Sequence, residues 1–425
     1  MKKSVINIGL LGFGTVGSGV VKVLQEKAKF FEEHLGLKLI LKKIVDKDII
    51  TPRDVKIDPS ILSTNAEDIL KDPEIKVVIE LIGGYEPART FVLSALQQGK
   101  SVVTANKAML AKYWDEIFLR FGDKVYFEAS VGGGIPLISS IRQGLIANEI
   151  TSIFGIINGT CNYILTKMDE EDKEFNQALK EAKNSGYAEA NPTLDIEGED
   201  TSHKLAILAS LAFGQWISNE KIFTEGITKI TKKDILYAQE LGYAIKLLGI
   251  AKIVKDEIEV RVHPTMISKS HLLASVNGVY NAIYLVGDLT GPLMFYGQGA
   301  GKLPTSSAII SDLINLIPQL EIRENLYSIP KHKLKIRNTN EVQSKYYIRF
   351  SALDKPGVLA TISGILGEYE ISIASVIQKE RGEVVPIIML THEAKEGNLK
   401  NALKKIDKLD TIKDKSIIIR VEELK

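Results

Sequence analysis

Near the N-terminus, one pattern limits the possible folds more than any other: an apolar strand, a glycine-rich turn and a helix in direct succession. Ser4–Leu11 is an apolar, β-branched run that predicts a buried parallel strand. It leads into Gly12-Phe13-Gly14-Thr15-Val16-Gly17 and then into a periodic helical segment to about His34. This order is the dinucleotide-binding fingerprint, in which the glycines allow the turn, the approach of a pyrophosphate and the packing of helix on strand. The flanking elements favour this interpretation over a glycine-rich turn that binds nothing.

The residues after the second predicted strand bear on the choice of cofactor. Leu37–Val45 predicts this strand, and Asp46 follows it. An acid at this position accepts a hydrogen bond from the ribose 2′-hydroxyl of NAD. Lys47 and Arg53 lie close enough in sequence to bind a 2′-phosphate instead. The residues therefore leave the choice between NAD and NADP open.

Two more buried strands are predicted at Lys76–Ile82, which ends in a glycine pair, and at Ser101–Thr104. The second strand runs into Ala105-Asn106-Lys107. A residue at the carboxyl end of a parallel strand faces the ligand crevice of such a sheet. Lys107 is therefore a candidate site residue, and the alternative is a surface lysine on a loop.

A glycine run, Val131-Gly132-Gly133-Gly134-Ile135-Pro136, follows a strand predicted at Val125–Ala129. Such a run cannot form a regular helix. It would expose several carbonyl oxygens beside the carboxylate of Glu128, and oxygen ligands of this kind suit a hard cation. The residues alone are equally consistent with a cation site and with a plain loop on the cofactor side.

An acid-rich segment spans Gly186–Lys204 and reads GYAEANPTLDIEGEDTSHK. A helix that begins near Glu197 would place Asp200 and Lys204 four residues apart on one face. The ordinary interpretation is a solvated ion pair worth a few tenths of a kcal/mol. The next residues, LAILASLAFGQW, are apolar nearly all round, which predicts a buried helix whose first turn opens into a cleft. A carboxylate and an amine held there suit a small zwitterionic substrate, and the lysine could shuttle a proton.

Beyond about Ile138 the pattern predicts an α+β region that carries the substrate site. The expected helices are Cys161–Met168, Lys173–Ser185, the apolar helix to about Phe213, and Asp234–Leu248. The expected strands are Ile150–Ile157, a hairpin within Ala251–Met266, and Ala282–Val286. Gly297-Gln298-Gly299-Ala300-Gly301 then opens a helix to about Leu316. This second glycine cluster suggests a return to the nucleotide, although an ordinary loop explains it equally well.

The tail predicts a compact unit after a charge-rich linker at Glu321–Lys345. Its expected strands are Tyr346–Ala352, Ile371–Lys379, Val384–Thr391 and Ser416–Val421. One helix is expected from Asp354-Lys355-Pro356-Gly357 to about Tyr369, and another at Asn398–Lys408. The resulting β-α-β-β-α-β order is ferredoxin-like.

Composition excludes several functional classes. The net charge of +1 provides no field that would attract nucleic acid or an anionic membrane. The single cysteine, Cys161, excludes an internal disulfide and a thiolate metal cluster, which fits a reducing cytoplasm. The apolar N-terminal run is short, broken by glycine and without a cleavage site, so it does not predict a signal peptide. No uninterrupted apolar run reaches the roughly 18 residues of a membrane span.

Six stretches together resemble homoserine dehydrogenase of amino-acid biosynthesis. They are GFGTVGSGV, TANK at Thr104–Lys107, EASVGGGIP at Glu128–Pro136, GIINGTCNYIL at Gly155–Leu165, GYAEANPTLDIEGEDTSHK, and GQGAGKLPT at Gly297–Thr305. They span nearly all of residues 1–316. The tail, with ALDKPGVLATISGIL and ISIASVIQKE, resembles the ACT domain of many such enzymes. With no kinase region before the first strand, the chain resembles the monofunctional form.

The resemblance implies an oxidoreductase that interconverts L-aspartate 4-semialdehyde and L-homoserine with NADP or NAD, of which NADP is slightly favoured. The implied substrate-binding residues are Glu189, Asp195, Asp200 and Lys204. The implied catalytic residues are Lys204, as proton donor, Lys107 and Asp200. A monovalent cation, usually sodium in the family, would be held by Glu128 and the carbonyls of Val131, Gly133 and Ile135. The implied cofactor contacts are Gly12, Phe13, Gly14, Thr15, Val16, Gly17, Ile82, Lys107, Gly186 and Gly301.

The expected architecture is α/β with several domains. A Rossmann-type nucleotide-binding domain would occupy residues 1–137 and be completed by a returning helix at 301–318. An α+β catalytic and dimerisation domain would occupy 138–320, followed by a linker at 321–345 and a ferredoxin-like ACT domain at 346–425. By resemblance, the enzyme would be a cytoplasmic homodimer or larger oligomer that serves threonine, methionine and isoleucine biosynthesis. Its ACT domain would either bind an effector such as threonine or only hold subunits together by sheet pairing. The two are equally open because Glu370 stands where other ACT domains often have asparagine.

Two other functions fit parts of the pattern. One is a Rossmann dehydrogenase that acts on a different amino or hydroxy acid, because a fold alone does not fix a substrate. The acid-rich segment with two lysines disfavours an anionic substrate that lacks an amine. The other is a non-catalytic regulator that senses nucleotides and uses the ACT unit as a ligand sensor. The presence of both Lys107 and Lys204 disfavours it.

Overall fold

A computed structural model describes residues 4–317 and 334–424 of the chain. These residues form two compact units. The first comprises residues 4–150, 203–219 and 286–317, and the second comprises residues 151–202, 220–285 and 334–424. Most of the linker predicted at Glu321–Lys345 lies outside the described residues.

The strands alternate with helices in the first part of the chain and dominate the later part. The strands are β1 (Ser4–Leu11), β2 (Leu37–Val45), β3 (Leu62–Ser63), β4 (Val77–Glu80), β5 (Ser101–Thr104), β6 (Val125–Tyr126), β7 (Ile150–Ile156), β8 (Phe223–Thr224), β9 (Tyr243–Val254), β10 (Glu257–Ser268), β11 (Tyr280–Gly287), β12 (Gly291–Gln298), β13 (Lys335–Ile336), β14 (Gln343–Leu353), β15 (Ile373–Ile377), β16 (Val384–Thr391), β17 (Ala394–Lys395) and β18 (Ile412–Val421). The helices are α1 (Thr15–Glu26), α2 (Ala28–Leu35), α3 (Glu67–Leu70), α4 (Ala88–Gln97), α5 (Lys107–Phe121), α6 (Leu137–Ser139), α7 (Gly159–Glu170), α8 (Phe175–Asn184), α9 (Thr193–Ile196), α10 (Glu199–Ala212), α11 (Lys232–Glu240), α12 (Lys302–Leu316), α13 (Val358–Glu368) and α14 (Glu396–Ile406).

The first unit is organised around a parallel sheet in the order β3-β2-β1-β4-β5-β6. This is the strand order of doubly wound dinucleotide-binding folds. The central strands β4 and β5 are buried along their whole length, so both faces of the sheet are covered. Their apolar sequences therefore lack the alternation of a half-exposed strand. The predicted Rossmann-type sheet is confirmed.

Helix α12 packs in the same core as α1, although the two are far apart in sequence. Ile309 and Leu313 share this core with Ile8 and Val20. A side chain at Gly19 would lie 2.5 Å from Oγ of Ser306, so the glycine lets the two helices approach closely. The last helix of the first unit thus supports the first one.

One long helix was predicted after the glycine turn, but the structure contains two. The first helix ends at Glu26, and Lys27 separates it from α2. Gly36, with a φ of +67°, then ends α2 in the left-handed conformation. The apolar periodicity continues through both helices, so the break at Lys27 leaves no mark in the pattern.

The second unit contains a mixed sheet whose strands run in the order β11-β7-β9-β10-β18-β14-β16-β15. Strands β9 and β10 form a long antiparallel hairpin from Tyr243–Ser268 to Val254–Glu257. Lys255 and Asp256 make its turn with φ values of 50° and 60°. Two such residues give the twist that a two-residue hairpin loop needs.

The helix predicted at Asp234–Leu248 is wrong in its second half. Only α11 is helical, and the capping box between Thr231 and Asp234 begins it. Gly242, with a φ of +83°, turns the chain into β9. The strand is buried on both faces from Ala244 to Ala251, and such an apolar run cannot be distinguished from a buried helix by periodicity.

The tail has the predicted β-α-β-β-α-β order in β14, α13, β15, β16, α14 and β18. Its last strand pairs antiparallel with β14 and parallel with β10, where Thr265 lies opposite Arg420. Beyond the strand, Glu422 accepts a hydrogen bond of 2.6 Å from Nη2 of the buried Arg261. The tail is therefore continuous with the sheet of the second unit.

Candidate active site

The glycine turn between β1 and α1 has the shape that a dinucleotide requires. Gly12 has a φ of +98°, and a side chain there would lie 2.6 Å from the backbone of Leu81. A side chain at Gly17 would lie 2.3 Å from the carbonyl oxygen of Gly12. At Gly14, by contrast, no described residue except its neighbours has an atom within 4 Å of a Cβ position. The turn is closed where the protein packs against itself and open where a ligand would approach.

The N-terminus of α1 suits a phosphate group. Gly14 caps it with an extended backbone and no side-chain hydrogen bond, and its first turn carries no acidic residue. The N–H groups at Thr15, Val16 and Gly17 belong to the part of a helix that lacks intrahelical acceptors, where the dipole is positive. The turn and this helix end together fit the pyrophosphate of NAD or NADP.

A pocket of about 440 Å³ adjoins this turn in the first unit. Gly12, Gly14 and Ile82 line it together with Asp46 and Lys47. The structure thus brings together residues from the ends of three adjacent strands, where open α/β sheets bind their ligands. The pocket is large enough for part of a dinucleotide.

Asp46 and Arg53 hold the glycine turn in place. The carboxylate of Asp46 accepts hydrogen bonds from the backbone N–H of Phe13 and, at 2.8 Å, from that of Asp48. The guanidinium of Arg53 donates to the carbonyl oxygens of Phe13 at 2.8 Å, of Asp48 at 2.9 Å and of Thr51. Arg53 therefore stabilises the loop. Of the two basic residues, Lys47 lines the pocket and Arg53 does not.

A buried polar network supports the strand ends beside this pocket. The carboxylate of Glu80 accepts hydrogen bonds from the N–H of Ile82 at 2.8 Å and from Oγ1 of Thr104 at 2.6 Å. Burial raises the pKa of Glu80. Asn106 then caps α5 by accepting from the N–H of Met109, so Lys107 is the first residue of this helix. The position of Lys107 at the carboxyl end of β5 is as predicted.

Glu128 lies in a short turn before the glycine run and is only 3% exposed. Its carboxylate accepts hydrogen bonds from the N–H groups of Ile138 at 2.8 Å and Ser139 at 2.7 Å. Its own N–H donates to Oδ2 of Asp312 at 2.7 Å, and burial raises the pKa of Asp312 to about 8. A side chain at Gly133 would lie 2.5 Å from the backbone of Gly299, so the run needs glycine there.

The donor set around Glu128 suits a hard monovalent cation better than a transition metal. One carboxylate and the carbonyls of the glycine run are oxygen ligands of low total charge. Across the described residues, no group of three or more His, Cys, Asp and Glu side chains could hold a metal. A cation bound mainly by carbonyl oxygens would fit the chemistry of this donor set.

Two acids of the acid-rich segment meet at a single amide in the second unit. Nδ2 of Asn158 donates to Oδ1 of Asp195 at 2.7 Å and to Oδ2 of Asp200 at 2.8 Å. Its Oδ1 accepts from the N–H of Cys161 at 2.8 Å and so caps α7. Sγ of Cys161 also donates to the carbonyl oxygen of Asp195 at 3.1 Å. Asn158 and Asp200 are each 5% exposed and Asp195 is partly exposed, so the first turn of α7 holds both acids in a fixed arrangement around a buried amide.

The remaining predicted residues occupy several positions. Lys204 lies in α10 four residues after Asp200 and is 8% exposed. Gly186, with a φ of +73°, and the exposed Glu189 lie in the segment between α8 and α9, outside the hydrogen-bonded group of Asn158. Gly301 caps α12 with a φ of +130°, a conformation that few residues other than glycine adopt.

Sequence reasoning missed three residues of these groups: Asn158, Glu80 and Asp312. The signal for Asn158 was present, because an asparagine between a strand and a helix is a strong N-cap candidate. Its donation to two acids could not be foreseen, since they lie 37 and 42 residues further along the chain. Glu80 and Asp312 stand in apolar stretches, where a lone acid gives no sign of its partner.

The fold and the glycine turn define the class of protein: a dinucleotide-binding protein of the Rossmann type. The family profiles match in three consecutive parts: "Homoserine dehydrogenase, NAD binding domain" at residues 12–124, "Homoserine dehydrogenase" at 136–314 and "ACT domain" at 346–411. The chain belongs to the homoserine dehydrogenase family and carries a C-terminal ACT domain. It is thus an oxidoreductase that acts on a CH–OH group, as predicted.

Relatives agree over nearly the whole length. The homoserine dehydrogenase of Helicobacter pylori is 43% identical, covering 99% of this chain and 100% of its own. The homoserine dehydrogenase of Synechocystis sp. is 41% identical, covering 98% of this chain and 99% of its own. Among solved structures, a homoserine dehydrogenase from Thiobacillus denitrificans has a TM-score of 0.92 and 42% identity over 99% of both chains. The helices of the described part include none long and apolar enough to cross a membrane.

Proposed function

We propose that this chain catalyses the reversible, NAD(P)H-dependent reduction of L-aspartate 4-semialdehyde to L-homoserine. The observation that carries the proposal is the arrangement of Asp195 and Asp200 on the amide of Asn158. Carboxylates held rigidly on a buried amide are what a small amino-acid substrate needs, because its ammonium group must be desolvated and paired at once.

Each side chain of the proposed site has a separate task. Glu189 and Asp200 bind the ammonium group of the substrate, and Asp195 completes the acidic side. Lys204 donates a proton to the oxygen at C4 in reduction and accepts it in oxidation. Its cation also stabilises the developing alkoxide, with Lys107 beside the reacting carbonyl. The bound nicotinamide supplies or accepts the hydride.

The proposed cofactor contacts are Gly12, Phe13, Gly14, Thr15, Val16, Gly17, Ile82, Lys107, Gly186 and Gly301. NADP is slightly favoured over NAD because Lys47 lines the pocket beside Asp46. A hyperthermophilic archaeal homoserine dehydrogenase, 26% identical with a TM-score of 0.62, was solved in complex with NADPH, which supports binding of a phosphorylated cofactor.

A monovalent cation, sodium by resemblance, is proposed at Glu128 and the carbonyls of Val131, Gly133 and Ile135. The fit of its oxygen donors supports the site. The cation would fix the glycine run where it approaches Gly299.

The wider context is also a proposal. A homodimer or larger oligomer would work in the cytoplasm, where the lone Cys161 stays reduced, and would serve threonine, methionine and isoleucine biosynthesis. The proposed domains are 1–137 with 301–318, 138–320 and 346–425, joined by the linker at 321–345.

Steady-state kinetics test the central proposal. The oxidation of L-homoserine is measured with NAD and with NADP. L-Serine, which is shorter by one methylene, is the control substrate. We expect turnover with L-homoserine at least about a hundredfold above L-serine in kcat/KM, since the fixed acids set the distance from ammonium to hydroxyl. Equal rates with both substrates, or none with L-homoserine, would contradict the proposal.

The tail is proposed to bind an amino-acid effector such as threonine. Gly357 caps α13 with a φ of +89°, and a side chain there would meet no described atom within 4 Å. The N–H groups of this helix end suit a carboxylate. Glu370 has a φ of 59°, a conformation that asparagine adopts more easily than glutamate. Threonine should inhibit the natural chain and the Gly364→Asp control but not Gly357→Asp. Inhibition of all three alike would place the effector elsewhere.

A further inference from the structure

The second unit contains a cavity of about 570 Å³ that no step of the proposed reaction uses. It lies between the β8 segment, β18 and α14, and is larger than the pocket at the glycine turn. Phe223, Ile230, Pro264 and Ile418 form its apolar part. A volume in this range, with an apolar wall and a few convergent charges, is typical of a small-molecule site.

A buried arginine fixes the polar end of the cavity. Arg420 is 3% exposed and donates Nε to Glu396 Oε2 at 3.0 Å and Nη2 to the other oxygen of Glu396. Glu396, itself buried, also accepts from the hydroxyl of Tyr346 at 3.0 Å and pairs with Lys400 at 3.4 Å. The acceptor sites of Glu396 are filled, so this carboxylate holds Arg420 in place and has no capacity for a ligand.

The remaining partner of Arg420 is Glu225, which is more exposed than Glu396 and easier to replace. Nη1 of Arg420 donates to Oε2 of Glu225 at 3.0 Å, and the Glu225 side chain is 27% exposed. Its other oxygen pairs with Lys229 at 3.4 Å, and that lysine is 69% exposed. Glu225 thus occupies the place on an arginine that an incoming carboxylate would take.

The charges at the cavity favour an anion. Its acids are Glu197, Glu225 and Glu396, and its bases are Lys229, Lys400, Lys415 and Arg420, three against four, which leaves one positive charge. The ammonium of Lys400 lies 5.0 Å and the guanidinium of Arg420 4.8 Å from the centroid of the Phe223 ring. Both cations therefore stand beside the apolar wall of the cavity.

We propose that this cavity binds a small organic carboxylate that carries no ammonium group. Its carboxylate displaces Glu225 from Nη1 of Arg420 and lies near Lys400 and Lys415, and its apolar body covers Phe223. The net positive lining selects an anion over a zwitterion.

The cavity also has a mechanical connection to the acids of the proposed site. Gly226, next to Glu225, is so close to the acid-rich segment that a side chain would lie 2.0 Å from the carbonyl oxygen of Ile196. The N–H of Ile227 donates to the same oxygen at 2.8 Å. Ile196 immediately follows Asp195. Displacement of Glu225 would therefore shift the support of this acid and raise KM for the substrate, and this second part rests on the proposed function.

Calorimetric titration of the full chain tests the binding. The probes are 2-oxoisovalerate, L-valine, which has the same carbon skeleton with an ammonium group, and inorganic phosphate, each up to about 10 mM. We expect 2-oxoisovalerate to bind with a Kd of about 1 mM or below and more tightly than the other two. Tighter binding of L-valine or phosphate, or binding of none, would overturn the proposal.

Variants around the cavity locate the site while Arg420 itself and its buried partner Glu396 are kept. Lys415→Glu should weaken 2-oxoisovalerate at least about threefold, and Lys413→Glu, on the same strand but outside the lining, should not. Glu225→Gln should strengthen binding about threefold or more, because a neutral amide competes less for Arg420. Equal affinities of all three variants and the natural chain would refute this location.

The effect on turnover is measured separately. Saturating 2-oxoisovalerate should raise KM for L-homoserine at least about threefold with kcat little changed, and Lys415→Glu should lessen the rise at the same probe concentration. An unchanged KM while calorimetry shows the site filled would refute the connection. A chain that does not oxidise L-homoserine at all would refute the proposed function and leave the binding result standing.

Discussion

Replacing Asn158 by aspartate would separate the two tasks of this side chain. Aspartate caps a helix as well as asparagine does, so the hydrogen bond from the N–H of Cys161 can remain. The amide nitrogen that donates to Asp195 and Asp200 becomes an oxygen that can only repel them when ionised. We therefore expect the fold to survive and the arrangement of the acids to fail.

The expected loss of activity follows from the distances of 2.7 and 2.8 Å between Nδ2 of Asn158 and the two acids. Even after relaxation to about 4 Å, two like charges at an effective dielectric constant of about 20 repel by about 4 kcal/mol. The loss of a helix cap, by comparison, costs about 1 kcal/mol. One acid must move or the new carboxyl must take up a proton, so kcat/KM should fall at least about a hundredfold, or about 2.7 kcal/mol in transition-state stabilisation.

The assay is kcat/KM for L-homoserine between about pH 6 and 9, together with the melting temperature. The loss for Asn158→Asp should be smallest at low pH, because a protonated carboxyl can again donate a hydrogen bond. Asn158→Ser is the matched variant: it keeps a cap, removes the donor without adding a charge, and should lose about tenfold to a hundredfold. An Asn158→Asp enzyme within about threefold of the natural one across this range would refute the reasoning.

Three further predictions concern single residues. Lys204→Ala should lower kcat at least about a hundredfold with cofactor affinity unchanged, because the proton donor is lost. Lys221→Ala, at an exposed lysine, is the control and should leave kcat unchanged. Normal turnover of Lys204→Ala would exclude Lys204 as the donor. Gly14→Val should keep the fold and weaken NAD(P) in a fluorescence titration, because its side chain would fill the open side of the turn, and Gly364→Val is the control. Burial lowers the pKa of Lys246 to about 8, so the folded state disfavours its charge at neutral pH. This burial destabilises the folded state by roughly 3 kcal/mol below about pH 8, and the destabilisation disappears as pH rises to about 10.5. The free energy of unfolding should therefore rise with pH over that interval, and Lys246→Met should flatten the rise. The same pH dependence of the unfolding free energy in both proteins, measured by urea titration, would contradict it.

The sequence predicted those features that neighbouring residues determine, and not those that depend on contacts between distant parts of the chain. The turn at Gly12 and Gly14 was predictable because strand, glycines and helix are contiguous and each has its own composition. The four-residue spacing of Asp200 and Lys204 was predictable because a helix fixes it. β9 was not, since its burial on both faces comes from neighbours that the strand itself does not encode.

The interior of the candidate site depended on distant partners. Glu128 and Asp312 meet across 184 residues, and nothing near either acid indicates the other. The sequence alone allows Arg53 to bind a phosphate, but in the structure its hydrogen bonds to three carbonyl oxygens stabilise the loop. A basic residue near a fingerprint can bind the cofactor or hold the loop, and only the tertiary contacts distinguish the two.

The place of β18 has a consequence for how the chain is made. This strand fills the gap between β10 and β14, yet it is synthesised after every other strand of the sheet. Until it emerges from the ribosome, β10 and β14 cannot join through it, and the buried Arg261 lacks Glu422. A nascent chain of this protein would thus carry open sheet edges until late in synthesis, when chaperones would have most to protect.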